Sequence, residues 1–284
     1  MAELNADSAV VAAGGRVRYA PLDLSDADSP KQLADTLRRD YKNQPIAILV
    51  NNAGFAYKGD AWGADETLTT LSINFRGTRA VTRALLPLMV ESCAGAADKN
   101  LLPRVVLVTS SAGGLGMFDR AQGAGGGEAS AELKRRFLAA GGMGEDEAAA
   151  DAALDTLASE FERAVADDTW RKEGWPSSMY GVSKAAANAY GRQLAARGWR
   201  QAGAGAGGDG GAGGVGASSS SSLLPRWASI NVHPGYISTN MSSYKGPLPP
   251  SRGADTPVWC ALLPAEEASA ASGAFYHDRQ LREY

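Results

Sequence analysis

Apolar positions along the chain fall into two alternating rhythms. Short apolar-rich runs recur at Val17–Leu22, Ile46–Val50, Val105–Val108, Trp227–Val232 and Ala274–His277. Between them lie longer stretches whose apolar residues repeat every third or fourth position. The first kind of run predicts strands and the second predicts helices. Residues 4–13 read as the end of a helix closed by Gly14 and Gly15. From Lys31 to Tyr41, the residues Leu33, Leu37 and Tyr41 share one helical face, and Pro45 stops the pattern. Ile46–Val50 is apolar at every position, which predicts a parallel strand buried on both faces. Further helices are predicted over about Glu66–Cys93, Tyr180–Arg200 and Thr256–Leu263, with a strand over Arg104–Thr109. Strand, helix, strand at this spacing is a βαβ unit, so the pattern predicts an α/β protein.

Two segments break the rhythm. Residues 117–178 read as a helical insertion that begins with a Gly tract, Gly123–Gly127. In its second helical stretch, Leu154, Leu157, Phe161 and Val165 form one apolar stripe. The stripe predicts a satellite helix packed on the domain or, alternatively, a wall or lid over a substrate cleft. Residues 203–222 are almost wholly Gly, Ala and Ser, and such a composition predicts a disordered loop.

Composition narrows the partners. The chain's 284 residues suit one large domain spanning 1–284. Net charge is −3, which speaks against nucleic acid as a partner. Cys93 and Cys260 are the only cysteines and His233 and His277 the only histidines, so neither a disulfide framework nor a metal site is expected. The cysteine usage fits a reducing compartment, and the acidic N-terminus lacks the Arg of a transit peptide, so a cytoplasmic protein is expected. No apolar run reaches the roughly 18 residues of a membrane span.

Candidate chemistry centres on Tyr180 and Lys184, four residues apart on one helical face. An ammonium beside a phenol favours the phenolate and lowers the pKa from about 10. Such a tyrosine can exchange a proton with a carbonyl or alcohol oxygen. Ser110 follows a predicted strand, at the carboxyl end where reactive groups of open parallel sheets gather. Asn74 lies inside a predicted helix, where it is either solvated or buried with hydrogen-bond partners.

Taken in order, these motifs resemble the short-chain dehydrogenases/reductases, and within them the monomeric carbonyl-reductase branch. The resemblance covers about residues 4–115, 177–200 and 225–284. It implies a Rossmann-like doubly wound parallel sheet. It implies Asn74, Ser110, Tyr180 and Lys184 as the catalytic tetrad, with Ser111 the weaker candidate for the serine. Asp23 and Leu24 are similar to the pair beside the adenine, and Asn51-Asn52-Ala53-Gly54 is similar to the signature that supports the sheet. Pro234, Gly235 and Thr239 are similar to the loop at the nicotinamide end. Asn51, Ala53, Gly54, Tyr180 and Lys184 are also implied in holding the cofactor. Asp255-Thr256-Pro257-Val258, Ala261 to Pro264, and the long spacer from Ser110 to Tyr180 are especially like the carbonyl-reductase branch. The implied activity is NADPH-dependent reduction of a ketone, aldehyde or quinone by a monomer, with Tyr180 as proton donor.

The chain departs from the family at its start. The family opens with a strand, a Gly-rich turn, a helix and a second strand, and this sequence opens at what resembles the second helix. The expectation is an N-terminally truncated sheet that lacks the pyrophosphate cradle at a helix N-terminus, and a fragment rather than a functional truncation. The competing expectation is a non-catalytic scaffold or regulatory protein of the same fold.

Overall fold

The apolar runs pair edge to edge into one sheet. A computed structural model describes residues 5–42, 44–98, 100–121, 127–144, 146–204 and 226–284. Its strands are β1 (Ile48–Asn51), β2 (Arg104–Val108), β3 (Ala228–Val232), β4 (Phe275–His277) and β5 (Gln280–Arg282). They lie in the order β1-β2-β3-β4-β5. The first four run parallel, and β5 turns back antiparallel on β4. Val105 of β2 sits opposite Leu49 of β1 and Ser229 of β3, and this register brings the carboxyl ends of all three strands to one edge.

Helices cover both faces, as a doubly wound sheet requires. They are α1 (Ser8–Ala12), α2 (Ser29–Asp40), α3 (Ala64–Leu71), α4 (Thr78–Ala94), α5 (Gly116–Ala121), α6 (Gly127–Gly142), α7 (Glu147–Ala166), α8 (Met179–Ala204), α9 (Pro250–Leu262) and α10 (Ala265–Ala270). On one face Val105 and Leu107 meet Leu71, Phe75, Phe161, Val182 and Tyr190. On the other, Val106, Ile230 and Val232 meet Cys260, Ala261 and Ala268 of α9 and α10. Each such side chain contributes about 1.5–3 kcal/mol when fully buried, so the larger first cluster carries most of the fold. A smaller cluster joins α2 to α4 through Ala34, Val81, Leu85 and Met89, with Leu49 packed against it.

Within the insertion, α7 begins at Asp146, whose side chain accepts a hydrogen bond from the Ala149 N–H at 3.0 Å. Leu154, Leu157, Phe161 and Val165 are all buried. Ion pairs clamp α7 to the chain beneath, among them Glu162 with Arg76 just before α4, Asp155 with Arg79, Asp151 with Arg83, and Glu147 with Arg197. The predicted Gly tract lies, apart from Gly127, outside the described residues, and so does 205–222 of the predicted Gly/Ala/Ser loop.

Two expectations need correction. Val17–Leu22 forms no strand, and Tyr19 is 78% exposed. A strand needs a neighbour to satisfy its backbone groups, and here the Asn5 side chain takes that role, bonding both the N–H and the carbonyl of Val17. The strand predicted over Ile46–Val50 starts at Ile48 and is not buried on both faces: Ile48 is 39% and Val50 41% exposed. Apolar sequence alone does not bury a strand that has one ladder neighbour. The predicted last strand forms as β4, but the pattern missed β5, which turns back on it, and a wide turn, Ser72–Gly77, between α3 and α4.

Candidate active site

The site forms where β1 and β2 end and α8 begins. Ser110 follows β2 in extended backbone, and its hydroxyl accepts a hydrogen bond from the Ala112 N–H at 3.1 Å, capping a short turn over Ser111–Gly113. That turn lies directly against α8. A Cβ on Gly113 would stand 2.5 Å from the Lys184 carbonyl carbon, so only glycine permits the approach. Gly181 plays the same part from the helix side, since a Cβ there would come within 2.9 Å of the Ala112 oxygen. This packing sets the Ser110 hydroxyl beside the Tyr180 phenol, near enough to work against the rise in its pKa.

Lys184 is buried one turn further along α8, with its ammonium donating to the Val108 carbonyl at 3.1 Å. It stands 5.6 Å from the centre of the Tyr180 ring. Burial lowers the Lys184 pKa from 10.5 to about 8. The expectation that Lys184 pulls the Tyr180 phenol down is not met. Burial pushes the phenol above its usual 10.0, and the Ser110 hydrogen bond opposes that only in part. Spacing places a lysine near a phenol but does not report how far both are removed from water.

Asn74 sits in the wide turn, a local widening of the helix that recurs at functional sites. Its side chain clamps the loop after β1, accepting from the Phe55 N–H at 2.7 Å and donating to the Phe55 carbonyl at 2.8 Å. It also donates to the Ser183 hydroxyl at 3.0 Å, and Ser183 in turn donates to the Tyr180 carbonyl at 2.8 Å. Asn74 is therefore buried and fully engaged, not solvated. Gly54 completes the convergence: a Cβ there would lie 3.3 Å from both the Asn74 amide oxygen and the Lys184 ammonium.

The remaining sequence candidates are more dispersed. Asn51 donates to the Thr82 hydroxyl at 2.9 Å and ties β1 to α4. Ala53 is exposed beside it. Leu24 is pinned against α4, because a Cβ on Gly77 would meet its carbonyl oxygen at 2.5 Å. Asp23 is exposed and occupied locally, accepting from the Ser25 N–H and hydroxyl at 2.8 and 2.6 Å, which holds its carboxyl below the usual value. Pro234 and Gly235 follow β3, with Gly235 at φ +96°. The Thr239 N–H is taken by Ser242 at 3.0 Å. Lys58 donates to Asn240 at 2.6 Å and bridges the loops after β1 and β3.

Sequence reasoning missed His233. Its Nε2 lies 3.2 Å from the Ser111 hydroxyl, its ring packs 4.8 Å from that of His277, and its backbone carbonyl lies 3.1 Å from His277 Nδ1. Burial and the neighbouring His277 lower its pKa to about 4, so the ring is neutral at physiological pH. Its place directly after a strand that ends beside β2 was the signal available.

An open α/β sheet with serine, tyrosine and lysine gathered at its carboxyl edge defines a class of sheet enzymes that act on small molecules. The family model of the short chain dehydrogenases matches residues 2–122. Carbonyl reductase (NADPH) 1 of Sus scrofa is 31% identical over 270 residues, covering 94% of this chain and 76% of that protein. The Homo sapiens protein of the same name is 31% identical over 273 residues, covering 94% and 79%. The chain belongs to the short-chain dehydrogenase family. Among solved structures, salutaridine reductase from Papaver somniferum has the same fold, with a TM-score of 0.62 at 23% identity over 90% of this chain and 80% of that one.

Proposed function

We propose that the protein is an NADPH-dependent reductase that converts a carbonyl group of a small molecule to an alcohol. The observation that carries this is the buried convergence of Ser110, Tyr180, Lys184 and Asn74. The names of the two mammalian relatives support the cofactor and the substrate class. The residues present fit the nicotinamide half of the cofactor: Gly54 leaves open the space beside Lys184 and Asn74 that a Cβ would fill. Tyr180, Lys184, Asn51, Ala53, Gly54, Pro234, Gly235 and Thr239 would hold that half, and Asp23 and Leu24 would face the adenine. Bound NADPH supplies the hydride.

The protein's own part is proton transfer and polarisation. The Ser110 hydroxyl donates to the substrate oxygen and draws charge toward it. The Tyr180 phenol, kept protonated at neutral pH by burial, releases its proton to the same oxygen as negative charge develops there. Lys184 stabilises the resulting phenolate, and its value near 8 lets it return a proton. Asn74 fixes the Phe55 loop and the first turn of α8 through Ser183, so that these groups meet at one point. A monomer accords with the ion pairs that seat α7 over the wide turn, α4 and α8.

A second reading, a binding or regulatory protein of the same fold, draws on the open side of β1. Following NADPH consumption with a quinone, an aryl ketone and an aldehyde separates the two. The reductase reading expects turnover that depends on Tyr180; a folded protein with no turnover on any of the three favours the second reading.

A further inference from the structure

Tyr180 and Lys184 are followed one turn later on α8 by Asn188, so the three stand on one helical face at steps of four. Asn188 is 2% exposed, and no step of the mechanism uses it. Its amide donates to the Gly113 carbonyl at 3.3 Å. That carbonyl can only accept, so the amide nitrogen is the atom that faces it. Lys184 makes the matching bond one turn earlier, to the Val108 carbonyl at 3.1 Å. The two carbonyls bracket Ser110 along the chain. Between them the turn is closed on itself: the Gly113 N–H donates to the Ser110 carbonyl at 3.0 Å, and the Ala112 N–H to the Ser110 hydroxyl at 3.1 Å. Moving Gly113 therefore moves Ser110.

The far side of Asn188 is held as well. Asn231 on β3, 1% exposed, donates from its amide nitrogen to the Asn188 carbonyl at 2.9 Å and to the Tyr284 hydroxyl at 2.7 Å. Tyr284 donates in turn to the Gly273 carbonyl at 3.0 Å. Gly191 makes room for this contact, since a Cβ there would overlap the Asn231 amide. β3, α8 and the turn after β2 are thus joined by one buried chain of amides, and the chain ends on the carbonyl that closes the Ser110 turn.

Stability alone does not ask for an amide at this place. The Asn188 and Asn231 side-chain oxygens are buried with no hydrogen-bond partner among the described residues, and an unpaired buried oxygen is costly. Leucine has the same branched shape and no such oxygen. What the amide supplies, and leucine does not, is the bond to Gly113.

We propose that Asn188 is a positioning residue, which through the Gly113 carbonyl sets where the Ser110 hydroxyl meets the Tyr180 phenol. Asn188→Leu keeps α8 packed but removes the donor, so the turn slackens and Ser110 loses its register with Tyr180. The effect on turnover rests on the reductase reading above; the placement of Ser110 does not.

The whole protein, made with fluorotyrosine, reports that placement without any turnover. The fluorine signal absent from Tyr180→Phe belongs to Tyr180, and its movement with pH follows ionisation of that phenol. The Ser110 hydroxyl opposes the rise that burial causes, so a slackened turn lets the ionisation point climb. A rise of about half a pH unit is expected in Asn188→Leu, and a smaller one in Tyr284→Phe, which loosens Asn231 alone. The second readout is NADPH-dependent reduction of an aryl ketone. Asn188→Leu is expected to lower kcat by about tenfold with both KM values within about twofold, the split that marks lost geometry rather than lost binding. Circular dichroism follows folding, and if Asn188→Leu does not fold, the Tyr180 signal in Tyr284→Phe decides. An unmoved Tyr180 signal in the folded variants, or a parent rate kept in full by Asn188→Leu, overturns the proposal. A shifted Tyr180 signal in a protein whose parent form reduces no carbonyl upholds the placement and overturns the reductase reading instead.

Discussion

β3 and β1 are short strands of one sheet with opposite surroundings. β3 is flanked by β2 and β4, and every one of its residues is buried. β1 is at least as apolar at its first three positions, yet among the described residues it pairs with β2 alone and leaves Ile48 and Val50 open to water. Composition does not account for the difference, whereas the number of neighbours does. The division runs on into the site. Ser110 and His233 extend from strands flanked on both sides, and Tyr180 and Lys184 sit on a helix packed against the turn after β2. Asp23 and Leu24 stand on the open side, where the clearest anchor is the contact of Leu24 with Gly77. The proposed chemistry is thus mounted on the more constrained side of the sheet, as a preorganised site requires.

The strongest probe of the constrained half is Tyr180→Phe. It removes the phenol proposed to give up a proton beside Ser110. Turnover is expected to fall by about 10²–10⁴-fold, with the circular dichroism spectrum and thermal midpoint unchanged. NADPH consumption under saturating carbonyl substrate reads this out, and survival of more than a few per cent of the rate would mean another donor serves.

The comparison itself is tested by hydrogen exchange. Amides of β1 are expected to exchange on the order of a hundredfold faster than those of β3, because local opening costs least where neighbours are fewest. Equal protection of Ile48–Asn51 and Ala228–Val232 in mass-resolved exchange would show that the open edge is as well held as the centre.

Much of the constrained half could be read from the sequence, and the reasons are local. Tyr180 and Lys184 are placed by helical spacing, Ser110 by the end of an apolar run, and Gly54 by its strand-ending motif. Each depends on a few adjacent residues. Val17–Leu22 misled because strand formation depends on a neighbour that a single segment cannot reveal. The direction of the Tyr180 shift was misread for a related reason: burial comes from residues far apart in sequence, here the packing of α8 on the turn after Ser110. The wide turn around Asn74 and the meeting of Ser111 with His233 likewise join segments that no periodicity connects, 122 positions apart in the second case.

Constraint has a cost, which Lys184→Met is expected to expose. The Lys184 pKa falls from 10.5 in the unfolded chain to about 8 in the fold, so below about pH 8 the native state holds a buried ammonium at a penalty. That penalty is relieved as pH rises from about 8 toward 10.5. It is at most about 3 kcal/mol, and the lost hydrogen bond to Val108 offsets part of it. The variant is expected to be more stable than the parent by about 1 kcal/mol at pH 7, with the advantage narrowing above pH 8, while turnover is lost. Denaturant midpoints at pH 7 and above pH 8 decide it, and a variant less stable at pH 7 would mean that the lysine supports the fold.

The smallest expected effect lies where β3 and β4 end side by side. His233 faces His277, which opposes its protonation, and Asp278, which favours it more weakly. Its Nε2 is in contact with Ser111, and its Nδ1 is buried without a partner among the described residues. Its native value of about 4 lies below the usual 6.5. Between those values the unfolded chain takes up a proton that the folded chain refuses, so stability is complete above about pH 6.5 and is lost as pH falls toward 4. The ring is partly open to water, and screening reduces the loss to about 1 kcal/mol. Carboxylates elsewhere also respond in this range, so the informative quantity is the difference between the parent and His233→Asn. The variant, with no group to protonate, is expected to lose less stability on going from pH 7 to pH 4.5. Parallel urea midpoints for the two proteins across that range would mean that the end of β3 is not held tightly enough to exclude the proton, and the contrast drawn between the flanked and the open strand would lose one of its supports.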